Sequence, residues 1–141
     1  MKNLDFKKVK SKLKEAIVDY DFNFDFEEDE EGLYATALEE WCFAEGYSNA
    51  DFFVTVYNDS SMYIECVFDE VPNTDITRGL LVDINAANLF KATIRDDGFF
   101  VLSRYIPVVA EYDDIRRNVK AFVDLINDES IYDKVKKLCN I

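Results

Sequence analysis

The sequence contains no histidine, and its 141 residues include only four glycines and two prolines. Histidine is the commonest general base near neutral pH and the commonest metal ligand in proteins. Its absence excludes Ser-His-Asp and Cys-His catalytic sites, histidine-dependent zinc hydrolysis and the facial-triad iron oxygenases within this chain. An enzyme of this sequence would have to work with carboxylates or lysine.

Long apolar runs are also missing. No stretch approaches the roughly 18 residues that cross a bilayer, and the first residues lack the apolar segment of a secretory signal. The three cysteines, at positions 42, 66 and 139, are too widely spaced for a metal-binding pair and odd in number for a disulfide framework. The four glycines are scattered and form no phosphate loop. We therefore expect a cytoplasmic protein without cofactor or metal.

Basic residues are absent from a long part of the chain. Residues 15–77 contain 18 Asp and Glu and no Lys or Arg, whereas residues 1–14 carry six Lys and one acid, and residues 78–141 carry ten charges of each sign. The net charge is −13. Such a field favours a basic partner and opposes binding to nucleic acid or an anionic membrane. We expect the N-terminal lysines to pair with the protein's own acidic surface.

Periodicity in the first half predicts a helix followed by paired strands. Apolar residues recur at helical spacing over residues 6–17. Over residues 21–26 the period changes to two, with three phenylalanines on one face. An acidic loop at residues 27–31 and a second strand at 33–39 are expected next. Residues 52–68 then predict a hairpin around a polar turn.

The second half predicts two further helical regions around a hairpin. Thr74 or Asp75 is suited to cap a helix with apolar positions as far as Leu89. Residues 92–106 form a hairpin with Asp97-Gly98 at its tip. Residues 113–126 carry an apolar helical stripe after an acidic first turn, and residues 131–138 continue as a short helix.

The element order is thus α-ββ-ββ-α-ββ-α-α. Strands joined by short turns require antiparallel pairing, and amphipathic helices must bury their apolar faces. A chain of this length with 49% hydrophobic residues supports one domain over residues 1–141. The prediction is a two-layer α+β domain with an antiparallel sheet of five to six strands packed against helices.

The second half also resembles a known family. The segments LVDIN at 81–85, FKATI at 90–94 and FFVLSRYIP at 99–107 place an Asn-bearing helix before a hairpin with an Asp-Gly turn, and a long apolar helix follows. This pattern, over roughly residues 75–127, resembles the YbjN-like family, whose fold is similar to that of class I type III secretion chaperones. The resemblance implies a small acidic protein that often dimerises, lacks enzymatic activity, and binds extended segments of a partner or has a regulatory role.

Two groups of residues are candidates for binding. The first is the acidic run, for which a solvated loop is the plainer alternative: Glu27, Glu28, Asp29, Glu30 and Glu31. The second is an aromatic group of the kind favoured at binding hot spots, with core packing as the alternative: Trp41, Phe43 and Tyr47.

Two other patterns predict no site. Asp19, Asp21 and Asn23 match the opening of a calcium loop, but its sixth position requires glycine and holds Phe24. Adjacent carboxylates such as Asp96 and Asp97 point to opposite faces of a strand and suit acid–base chemistry poorly. We therefore predict no metal site and no catalytic residue.

Three functions are compatible with these features. The first is a non-enzymatic, chaperone-like or regulatory protein that binds a basic or amphipathic segment of a protein partner, as a monomer or as a homodimer. The second is an acidic inhibitor that imitates DNA, which requires carboxylates aligned in rows. The third is a carboxylate-based enzyme, which requires a pocket that holds a desolvated Asp or Glu.

Overall fold

The structure, a computed structural model, describes residues 4–39, 50–87 and 90–139. The elements in chain order are α1 (Phe6–Ala16), β1 (Asp25–Glu28), β2 (Gly32–Glu39), β3 (Ala50–Tyr57), β4 (Met62–Glu70), α2 (Asp75–Ala87), β5 (Lys91–Ile94), β6 (Phe99–Ile106), α3 (Tyr112–Ile126) and α4 (Glu129–Cys139). The predicted α+β class and antiparallel sheet are confirmed. None of these described helices is long and apolar enough to span a bilayer.

The six strands form one antiparallel sheet in the order β1-β2-β3-β4-β6-β5. Short turns join β1 to β2, β3 to β4 and β5 to β6, and two of these turns use a left-handed backbone conformation. Gly98 has φ 90° at the tip of the β5–β6 hairpin, as the Asp-Gly pair predicts, and Ser60 has φ 68° between β3 and β4. A register shift between Val67 and Glu70 interrupts the pairing of β4 with β6.

The helices pack on one face of this sheet. Alternate residues of β3 and β4, such as Phe52 and Ile64, are buried there together with the predicted stripe of α3. The Phe52 ring lies 5.7 Å from that of Phe122 on α3, which joins the two layers. Burial of each such side chain contributes roughly 1.5–3 kcal/mol, so this apolar interface is the main source of stability.

Polar side chains define where the helices begin. Asp5 accepts the Lys7 N–H at 3.0 Å at the start of α1. At α2 the Thr74 and Thr77 hydroxyls accept one another's backbone N–H groups, at 3.3 and 2.9 Å. Thr74 therefore caps α2, one of the two positions predicted for this role.

Two local predictions were wrong. The strand expected at residues 21–26 begins at Asp25, although burial alternates through Phe22 and Phe24 as predicted. Alternation reports which side chains are buried and not whether the backbone has a hydrogen-bonded partner. The acidic loop expected at residues 27–31 is shorter, because Glu27 and Glu28 belong to β1. An edge strand tolerates these charges since its side chains stay in water.

The lysines of α1 interact with the protein itself, as expected. Lys10 forms an ion pair with Glu28 at 2.5 Å, and Lys12 lies 3.4 Å from Asp113 on α3. The Lys8 ammonium lies 5.3 Å from the centre of the Tyr112 ring. Part of the acidity on the helix side is therefore neutralised internally.

Candidate functional site

The other face of the sheet is the candidate functional site. Its side chains alternate with the buried ones, and because directly opposed residues share a face, the strand register identifies them. We call this surface the open face. Its members are Asp25, Glu27, Tyr34, Thr36, Asp51, Phe53, Thr55, Tyr57, Tyr63, Glu65, Val67, Lys91, Thr93, Val101, Ser103 and Tyr105.

Most of these side chains are half-buried or exposed. Over β6 the open face is more covered, since Val101 and Ser103 are buried. Val101 nevertheless lies outside the apolar core that the helices share with the sheet, which places it on the opposite side. The open face is thus an extended surface of aromatic, β-branched and acidic residues.

A row of tyrosines crosses four strands of the open face. Tyr34 on β2 is opposite Thr55 on β3, which is opposite Tyr63 on β4, and Tyr63 is opposite Tyr105 on β6. Opposed side chains on neighbouring strands have Cβ atoms about 4.5–5.5 Å apart. Tyr105 is 60% exposed. The row therefore presents apolar ring surface with polar ends, the combination favoured at protein interfaces.

Hydrogen bonds hold these tyrosines in place. The Tyr63 hydroxyl donates a hydrogen bond to Glu65 Oε2 at 3.0 Å, and the Tyr34 hydroxyl donates one to Asp29 Oδ1 at 3.3 Å. Burial raises the pKa of Tyr63, and the charge of Glu65 acts in the same direction. Desolvation and the bond to Asp29 raise the pKa of Tyr34. A phenol with an ordinary pKa of about 10 is already neutral at physiological pH, so these shifts only extend to higher pH the range over which both tyrosines act as donors.

The charge of the open face is unequal across the sheet. Four carboxylates lie on β1, β3 and β4, and within the described chain none of them forms an ion pair: Asp25, Glu27, Asp51 and Glu65. Lys91 on β5 supplies a positive charge at the opposite edge. A groove of about 410 Å³ lies near this edge and is lined by Tyr63, Phe90, Lys91, Ser103, Arg104 and Tyr105.

The predicted acidic site is divided between different surfaces. Glu27 lies on the open face, whereas Glu28 is on the helix side with Lys10. Asp29 accepts the Glu31 and Gly32 N–H groups at 2.8 and 3.1 Å and so shapes the β1–β2 turn. The side chains of Glu30 and Glu31 are exposed at that turn. The five acids therefore do not converge on one site.

The predicted aromatic site lies at Trp41, Phe43 and Tyr47, outside the residues that the structure describes. The tyrosine row was not predicted from the sequence. The sequence does contain a pattern that points to this surface. In β4, for example, Tyr63, Glu65 and Val67 alternate with the buried residues Ile64 and Cys66. What the pattern omits is the order of the strands, which brings these positions together.

The acids of residues 15–77 point in several directions. Glu15 and Asp19 lie near lysines on the helix side, Asp75 is bound by Arg78 on α2, and Asp59 lies in the β3–β4 turn. These four described acids are therefore not aligned in one row, which is what imitation of DNA requires. The buried polar residues of the described chain include no Asp or Glu, and its acidic side chains form no cluster suited to a metal ion.

Another groove lies elsewhere, between α2 and β5, with a volume of about 660 Å³. Its two basic side chains, Arg78 and Arg95, are already bound by Asp75 and Asp97. The basic groups of this groove are therefore already paired, and Asp96 is the single carboxylate among its lining residues that has no ion pair within the described chain. This makes the open face the stronger candidate.

No protein-family model, curated protein or solved structure matches the chain. The resemblance to the YbjN-like family accordingly stays a prediction from the sequence pattern.

Proposed function

We propose that the protein is a non-enzymatic binding module whose open face holds a basic, amphipathic segment of a protein partner. The observation that carries this proposal is the tyrosine row beside carboxylates that have no ion pair within the described chain. The aromatic rings supply contact area, and the unpaired carboxylates favour a partner segment that carries positive charge. The two features occur together on the face that the described helices leave uncovered.

The size of the open face suits a helical segment. Six strands spaced by about 4.8 Å span about 24 Å, the length of a helix of about 16 residues. An amphipathic helix on this face would complete a third layer and bury its apolar stripe against the tyrosines. Basic residues along its margins would then lie near Asp25, Glu27, Asp51 and Glu65.

A binding experiment with two peptides tests this function. The first is a 16-residue amphipathic helix with Lys and Arg beside its apolar stripe, and the second carries Glu at those positions. We expect the full chain to bind the basic peptide at least tenfold more tightly in calorimetry, with an affinity that falls as salt rises. Equal binding of both peptides, or none, would contradict the proposal.

A pair of surface variants locates the binding site. Tyr105→Ser removes an exposed ring from the open face. Val108→Ser removes the side chain of a residue that lies beyond the end of β6 and is 70% exposed. We expect Tyr105→Ser to weaken binding about tenfold, which corresponds to about 1.4 kcal/mol, and Val108→Ser to leave it unchanged. Equal effects of the two variants would place the site elsewhere.

A further inference from the structure

Glu65 occupies the middle of the open face. It is opposite Phe53 on β3 and Ser103 on β6, and Tyr63 and Val67 are its neighbours along β4. The side chain is half-buried, and its one hydrogen bond within the described residues is the 3.0 Å bond from the Tyr63 hydroxyl. A carboxylate has about four lone-pair sites, so the described residues use only a small part of its accepting capacity.

The two half-buried carboxylates of α3, Asp113 and Asp114, have cations. Asp113 is bound by Arg116 at 2.9 and 3.1 Å and by Arg117 at 2.9 Å. Glu65 has no such partner in the described chain. Arg95 lies within electrostatic range of Glu65, but its guanidinium is bound by Asp97. Because removal of a carboxylate from water costs free energy unless it is paired, Glu65 is suited to an incoming cation.

We propose that Glu65 binds an arginine side chain of the partner segment, with the ring of Tyr63 beside the guanidinium. The inference rests on the proposed function and deepens it. A guanidinium is planar, pairs with a carboxylate through two N–H groups and stacks on aromatic rings, and it is less strongly hydrated than an ammonium. The site combines a carboxylate with aromatic neighbours, and this combination favours arginine over lysine.

Three peptides of the basic amphipathic design test this assignment. They differ only at one central position, which holds arginine, lysine or citrulline, the neutral isostere of arginine. We expect the wild-type chain to bind the arginine peptide about tenfold or more tightly than the citrulline peptide, with lysine between them. In Glu65→Gln this preference should fall to about twofold or less, because the amide keeps the shape and loses the charge.

Glu27→Gln is the matched control. It removes one carboxylate at the β1 edge of the same face, far from the centre, and should weaken the binding of all three peptides by a similar factor. Retention of the full preference for arginine over citrulline in Glu65→Gln would overturn the assignment. If Tyr105→Ser still weakens binding in that case, the proposed function survives and only the role of Glu65 is lost.

Two further outcomes count against the assignment. If none of the three peptides binds, both the assignment and the proposed function fail. If sedimentation shows a dimer that Tyr105→Ser converts to a monomer, the occupant of the open face is a second copy of this chain. A basic residue of that copy, such as Lys91, would then replace the partner's arginine.

Discussion

The side-chain amide of Asn85 forms two hydrogen bonds with the backbone of Ala92. Its Nδ2–H donates to the Ala92 carbonyl oxygen at 3.0 Å, and its Oδ1 accepts the Ala92 N–H at 2.7 Å. Ala92 belongs to β5, an edge strand of the described sheet, so its outward groups have no further strand of that sheet to pair with. Asn85 therefore substitutes for a neighbouring strand at this residue and joins α2 to the sheet.

Replacement of Asn85 by Ala should destabilise the protein by about 1–3 kcal/mol, because both Ala92 groups lose their partner in a partly buried place. Urea denaturation measures this loss, and the Ala92 amide should exchange its hydrogen faster. Asn23→Ala is the control, since Asn23 is exposed and forms no side-chain hydrogen bond within the described chain. Equal stability of the two variants would show that the edge contact contributes nothing.

The same substitution at two glycines should have opposite effects. Gly79 lies within α2, and a Cβ there would meet no atom within 4 Å. Gly79→Ala should stabilise the protein by about 0.5–1 kcal/mol. Gly98 has φ 90°, and Gly98→Ala should destabilise it by about 1–2 kcal/mol. Thermal denaturation measures the melting temperatures of the two variants. A change of the same sign in both, relative to wild type, would contradict this interpretation.

Asp113 should make stability depend on pH. Hydrogen bonds from Arg116 and then Arg117 lower the pKa of Asp113 well below its ordinary value. Between the folded and unfolded pKa values the unfolded chain binds more protons, so stability rises with pH in that range. The contribution of the ionised Asp113 to stability is complete above the pKa of about 3.9 that an aspartate has in the unfolded chain. It is lost as the pH falls through the lower pKa of Asp113 in the folded chain.

Asp113→Asn should therefore destabilise the protein at pH 6, and the difference from wild type should shrink as the pH falls from 5 to 2. Melting temperatures across this range provide the measurement. Asp21→Asn is the control, because Asp21 is exposed and forms no ion pair within the described chain. If the difference in melting temperature between Asp113→Asn and wild type stayed constant with pH, the lowered pKa of Asp113 would not be the source of its contribution to stability.

Neighbouring phenylalanines on β3 distinguish the two faces of the sheet. The Phe52 ring is fully buried, with its centre 5.7 Å from that of Phe24 and 6.3 Å from that of Phe22. Phe52→Ala should cost about 3–5 kcal/mol in unfolding free energy. Phe53 is half-buried on the open face, so Phe53→Ala should cost much less. Similar losses in urea denaturation would mean that both faces are covered.

The candidate site was less predictable than the fold. The alternation in β4 is sufficient to separate Ile64 from Glu65, because side chains in a strand point to opposite faces in turn. It cannot place Tyr105 opposite Tyr63, since these residues are about forty positions apart and meet only through the pairing of β4 with β6. The predicted acidic site was divided for a different and local reason, because Glu27 and Glu28 lie in β1, where a loop was predicted, and point to opposite faces of that strand.

The sequence by itself determined most of the local elements, the antiparallel class and the excess of acid between residues 15 and 77. These follow from periodicity, turn residues and charge, which act over a few neighbouring positions. Only the tertiary structure decided which strands are neighbours, which face the helices cover and which carboxylates have no cation. Each of these depends on the distance between residues far apart in the chain, where packing and electrostatic energies are set by spatial proximity.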